Sequence, residues 1–143
     1  MQATAAGSAL LLACAAVAGC GKSSPRPPAA AAGPVVAVTE RDFHIEGPTR
    51  LKAGPVTLRV HNEGPDQHEL IVVPTTSGRL PLRADGLTVA EEAIAESEPG
   101  SLEPGEPGAV RYLHLNLAPG RYILFCNMEG HYMGGMHHEV VVG

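Results

Sequence analysis

Tyr122-Ile123-Leu124-Phe125-Cys126-Asn127-Met128-Glu129-Gly130-His131-Tyr132-Met133-Gly134-Gly135-Met136-His137-His138-Glu139-Val140-Val141-Val142 is the stretch on which the fold turns. Two apolar runs, Tyr122 to Phe125 and Glu139 to Val142, read as strands. Between them one loop carries a thiol, an imidazole and a thioether at Cys126, His131 and Met136. Glycines at 130, 134 and 135 let so short a loop fold back and aim three side chains at one point. Soft sulfur donors combined with imidazole select copper or zinc over hard cations.

Working outward, Pro119-Gly120 is a turn, and before it Leu113, Leu115 and Leu117 alternate with Tyr112, His114 and Asn116 as in a half-buried strand. Val56 to Val60 alternates in the same way after the Gly54-Pro55 turn, and Leu70-Ile71-Val72-Val73 is a continuous apolar run typical of a buried strand. Val35 to Thr39 and the piece around Phe43-His44-Ile45 open the structured part as extended chain. Thr88 with Glu91 forms a capping-box pattern ahead of Val89, Ala90, Ala93 and Ile94, which predicts one short helix. Residues 96–108 read as an acidic Pro/Gly loop. There is no internal repeat. Thirteen Pro and seventeen Gly supply many turns, so about seven short strands predict an all-β Greek-key sandwich rather than a helical bundle.

The loops at one end of a sandwich cluster. His68 sits where the loop Asn62-Glu63-Gly64-Pro65 enters the strand Leu70 to Val73, so it is the best second imidazole. A His₂Cys set with a weak axial Met is an electron-transfer copper arrangement. Asn62-x-Gly64-x-x-x-His68 with Cys126-x₄-His131-x₄-Met136, together with the flanking strands from about Val35 to the end, resembles the plastocyanin/azurin family, the cupredoxins. The spacing from Cys126 to His131 is longer than plastocyanin's Cys-x₂-His and nearer to that of longer-loop bacterial members. The resemblance implies one type 1 copper held by His68, Cys126, His131 and Met136, with the exposed edge of one His passing single electrons. It also implies an Asn beside the first His that ties the ligand loops together, whereas Asn62 lies several residues before His68.

Plainer readings compete with each of these residues. A single buried Cys is usually a small core residue, and Cys126 continues the inward face of Tyr122 and Leu124. The spacings to His131 and Met136 outweigh that reading. Met133 competes with Met136 for the axial place, and Met128 reads as loop filler. His44, His61 and His114 read as solvated. His137 and His138, with Met133, offer a second and weaker copper site. Glu96, Glu98, Glu103 and Glu106 read as a solvated acidic loop, or alternatively as a docking patch for a basic redox partner.

The chain's 143 residues bound the answer to one domain, and its net charge of −5, with no basic face, excludes nucleic acid as a partner. Residues 1–19 read as a lipoprotein-type signal peptide: Ala9 to Gly19 is apolar but too short to span a bilayer, and Val17-Ala18-Gly19-Cys20 looks like a lipobox. The segment before it departs from the pattern in having no Lys or Arg. Residues 20–33 are then a lipidated Cys20 and a Ser/Pro/Ala tether, and residues 34–143 the cupredoxin-like domain. With Cys14 removed and Cys20 acylated, Cys126 is the domain's one thiol, so no internal disulfide is available in an oxidising compartment. The expectation is an extracytoplasmic, membrane-anchored monomer that meets redox proteins or copper donor and acceptor proteins. An alternative role is Cu(I) carriage. Enzymatic chemistry is not expected, because there is no His-x-His pair and no second Cys in the loop.

Overall fold

The computed structural model describes residues 33–143; the expected signal peptide, the expected lipidation at Cys20 and the expected tether up to residue 32 lie outside the described residues. Among the described residues nine strands form two sheets: β1 (Val35–Arg41), β2 (His44–Glu46), β3 (Arg50–Leu51), β4 (Gly54–Asn62), β5 (His68–Pro74), β6 (Gly100–Gly105), β7 (Val110–Leu117), β8 (Gly120–Phe125) and β9 (His137–Val142). One sheet has the order β2-β1-β4-β7 and the other β3-β9-β8-β5-β6. β1 lies parallel to β4 and β3 parallel to β9, while every other pairing is antiparallel. The expected all-β sandwich is what the chain forms.

Alternation decides which side chains enter the space between the sheets. Val56, Leu58 and Val60 of β4 and Leu113, Leu115 and Leu117 of β7 meet Leu70, Val72, Tyr122, Leu124, Val140 and Val142 from the other sheet. Each buried aliphatic side chain contributes roughly 1.5–3 kcal/mol relative to exposure. Cys126 and Met136 belong to this same cluster, at its end.

β5 and β8 are apolar on both faces because the second sheet is covered twice. Ile71, Val73, Ile123 and Phe125 point away from the main core and pack under Val89, Ile94, Tyr132 and Leu80. Tyr132 belongs to the loop after β8; the rest of the cover is the segment between β5 and β6. Its expected helix is replaced by two single 3₁₀ turns, Glu91–Ala93 and Ala95–Ser97. Thr88 caps no helix; its N–H and hydroxyl bond Asp85. Asn127 takes both the N–H and the C=O of Val89, which removes a residue the predicted helix needed. The second departure is β6: residues 100–105, read as acidic loop, add an edge strand to β5 through backbone pairing at Gly100, Ser101 and Leu102.

Candidate metal centre

His68 opens β5 and Cys126 follows the last residue of β8, so two neighbouring antiparallel strands bring them to one end of the sandwich. Their side chains point inward and are fully buried. His131 comes from the turn that follows, where five backbone hydrogen bonds close residues 126–136 on themselves, among them His131 N–H to Met128 O at 2.9 Å and Met136 N–H to His131 O at 2.9 Å. Donor atoms of His68, Cys126 and His131 all lie within 4.8 Å of one another. Cys126 Sγ is 3.5 Å from His131 Nδ1, and the two imidazole rings are 5.2 Å apart at their centroids. His131 is the least buried of the three. Met136 is fully buried beside Cys126 in the inter-sheet core, whereas Met133 is 54% exposed on the outer side of the loop.

The polar atoms of this pocket are arranged for a cation. His68 Nε2 meets Asp42 Oδ1 at 3.1 Å, and since a carboxylate oxygen only accepts, Nε2 carries the proton. Nδ1 is therefore a bare lone pair, and it is buried with no hydrogen-bond partner in the protein. An orphaned buried acceptor of this kind is rare and calls for an explanation. A cation bound between the three donors would satisfy it. Burial also pushes the Cys126 thiol up to about 11, against the pull of the Met128 and Glu69 backbone N–H groups. His68 is held below its ordinary value, first by burial and then by the neighbouring His131. Both shifts favour neutral side chains in the metal-free site, and bound metal reverses that preference at the thiol. The donor set of two imidazoles, a thiol and a buried thioether fits copper.

The surrounding shell is only partly the expected one. The residue that ties the ligand loops together is Glu69, directly after His68: its Oε1 accepts the Asn127 N–H at 3.0 Å. A register irregularity between His68 and Leu70 in the pairing of β5 with β6 falls at this residue. Its position beside His68 was the available signal, but its residue type is not the expected Asn. Burial raises the Glu69 carboxyl, with the Asn127 N–H opposing. Asn62, fully buried, instead shapes its own loop: Oδ1 accepts the Gly64 N–H, and Nδ2 donates to Asp66 O and Gly105 O.

The remaining candidates separate. His137 and Met133 line one shallow surface depression with Tyr132 and Arg79, while His138 Nε2 donates to Pro48 O elsewhere. The three do not form one cluster. His44 and His114 are exposed and His61 half-buried. Glu96, Glu103 and Glu106 are exposed and Glu98 half-buried.

No family model matches the chain, and no curated protein matches its sequence. Solved structures do match in three dimensions. Dithionite-reduced auracyanin from the photosynthetic bacterium Roseiflexus castenholzii superposes with a TM-score of 0.58 at 17% identity, over 78% of this chain and 98% of that one. The chain has the cupredoxin fold. Auracyanin A, a "blue" copper protein from the green thermophilic bacterium Chloroflexus aurantiacus, gives 0.56 at 21% identity, covering 78% and 100%. Rusticyanin from Thiobacillus ferrooxidans gives 0.57 at 14%, covering 78% and 79%. The share of this chain that aligns is 78% in each case, and the described cupredoxin sandwich spans residues 33–143.

Proposed function

We propose that the protein is an extracytoplasmic blue copper protein that holds one type 1 copper through His68, Cys126, His131 and Met136 and carries single electrons between redox partners. The observation that carries this reading is the buried, unpartnered His68 Nδ1 beside Cys126 Sγ and His131. Bound copper would supply a one-electron couple that the protein's own side chains lack. The chain's part is to hold the donors still. Backbone hydrogen bonds fix the 126–136 turn, Glu69 joins it to β5, and the inter-sheet core excludes water from Cys126 and Met136. Donors that need not rearrange keep the reorganisation cost of electron transfer low. Met136 is favoured over Met133 as the thioether, because it is buried with Cys126 while Met133 is exposed. His131, the least buried imidazole, is the group a partner reaches first. The exposed carboxylates of β6 and its flanks suit a basic partner.

Anchoring through an acylated Cys20 rests on the lipobox-like Val17-Ala18-Gly19-Cys20 and on Cys126 being the one thiol of the described residues. Cu(I) carriage is the second reading, favoured by the exposed Met133 and His137 in one depression. Titration of the purified protein with Cu(II), followed by visible and EPR spectroscopy, separates the two. One equivalent giving an intense thiolate-to-copper band with narrow hyperfine splitting, lost in Cys126→Ser, is the expected result. A colourless protein that binds Cu(I) tightly would transfer the assignment to carriage.

A further inference from the structure

We infer that the two-residue turn joining β1 to β2, Asp42-Phe43, is a clamp that sets the orientation of both imidazoles of the copper centre, Asp42 positioning His68 and Phe43 positioning His131. This rests on the copper reading above. The turn is tight, since Arg41 and His44 are paired directly across it. It is also tied to the first ligand loop: Glu63 N–H donates to Glu40 O at 2.8 Å, and Arg41 pairs with the Glu63 carboxylate. From its tip, the Asp42 carboxylate reaches His68 Nε2, and the Phe43 ring lies 5.3 Å from the His131 ring, tilted by 59°.

The conformation of Phe43 is what folding alone does not explain. It is the one non-glycine residue among those described with positive φ, at +59°. Left-handed backbone disfavours a bulky side chain, and such turn positions ordinarily hold Gly or Asn. Nor does burial compensate, for Phe43 is 51% exposed. The ring is instead seated against the ligand loop: a Cβ on Gly134 would stand 2.2 Å from its Cδ1. A strained residue that gains little burial and covers a donor imidazole points to a role at that donor. Asp42 acts on the other imidazole. A carboxylate acceptor at Nε2 fixes the tautomer that leaves Nδ1 free and raises its basicity. Space for this contact exists because residue 64 is glycine, where a Cβ would lie 2.7 Å from Asp42 Oδ1 and 2.8 Å from His68 Nε2. The negative charge also favours the more highly charged oxidised metal.

The test uses the full chain and four variants: Asp42→Ala, Asp42→Asn, Phe43→Gly and Phe43→Tyr. In the metal-free protein, nitrogen-detected NMR should find His68 as the Nε2–H tautomer in wild type and as mixed tautomers in Asp42→Ala. The ring-current shift of the His131 protons should vanish in Phe43→Gly and return in Phe43→Tyr. In the copper-loaded protein, Asp42→Ala and Phe43→Gly should release copper to a chelator about 10-fold faster or more, and Asp42→Asn should raise the reduction potential. Phe43→Gly relieves the left-handed strain, so it should be at least as stable to urea while retaining copper less well. A merely structural role cannot separate those two readouts. Wild-type protein that takes up no copper overturns the function on which the clamp rests. Copper uptake with variant spectra, release rates and potentials equal to wild type overturns the clamp alone.

Discussion

The two loops that carry the imidazoles are held by different physics. Residues 126–136 are closed by their own backbone, with Cys126 N–H to Met136 O at 3.2 Å, Gly134 N–H to Gly130 O at 2.8 Å and Gly135 N–H to Tyr132 O at 3.1 Å. That loop is also roofed by the cover segment, through Gly130 N–H to Leu87 O and Leu80 N–H to the Tyr132 hydroxyl. The loop leading to His68 closes little on itself. It stands on a polar floor of the buried Asn62 and Glu40 and the half-buried Arg111, contributed by β4, β1 and β7. Glu40 and Asn62 are register partners on neighbouring strands. The floor is incompletely satisfied, since Glu40 Oε1 and Arg111 Nε are buried without partners. A backbone-closed loop responds mainly to volume, whereas a polar floor responds to the loss of a hydrogen bond or of a charge.

The largest effect is expected where one side chain serves the whole first loop. Asn62→Ala removes three hydrogen bonds at once and leaves the Gly64 N–H and the Asp66 and Gly105 carbonyls without that partner. With about 1–3 kcal/mol per unsatisfied buried group, partly recovered by water at the loop, the loss should be about 4 kcal/mol in urea unfolding of the metal-free protein. A loss below about 1 kcal/mol would mean that the loop does not depend on this floor.

The second effect separates the loops by pH. Burial pushes Glu40 from 4.5 up to about 7, against the pull of Arg111. A folded-state value above the unfolded one means the native protein holds a proton that the unfolded chain has released. The contribution to stability is therefore full below about pH 4.5 and is lost as pH rises through about 7. Glu40→Gln has no proton to lose. Its stability relative to wild type should climb by about 3 kcal/mol between pH 4 and pH 8, from roughly 1.4 kcal/mol per unit. Parallel pH profiles for the two proteins would remove Glu40 from the account.

This difference in support also explains what could be read from the chain. Cys126, His131 and Met136 lie within eleven residues, so spacing alone assembled three of the four candidate donors. The supports of that loop are backbone groups that every residue has. β5 and β8 were legible as continuous apolar runs because both faces of their sheet are covered. In the first loop the turn residues Asn62 to Pro65 and His68 were legible, but not what holds them. Asp42 meets His68 across 26 positions, and Asn62 reaches Gly105 across 43, distances at which no local pattern operates. The missed strand β6 lacks alternation and contains Pro104; it exists because β5 offers it a free edge. The predicted helix failed for the complementary reason. Its apolar positions Val89 and Ile94 are buried as the stripe required, but Asn127 claims the backbone of Val89 from 38 positions away.

The smallest of the three effects tests the backbone-closed loop by volume. Gly134 does not have positive φ, so alanine there is not opposed by its own backbone. The obstacle is external, because the added Cβ would lie 2.2 Å from Phe43 Cδ1 and 3.1 Å from Gly130 O. The phenyl ring must leave its seat, and overpacking of this kind costs about 1–3 kcal/mol. Gly134→Ala should therefore destabilise the metal-free protein by about 2 kcal/mol. In a Phe43→Ala background most of that cost should disappear, because the atom it strikes is gone. A coupling above about 1 kcal/mol in the double-mutant cycle assigns the cost to the ring. If the two losses simply add, Gly134 is required by the turn's own carbonyl at Gly130, and the second loop is self-contained.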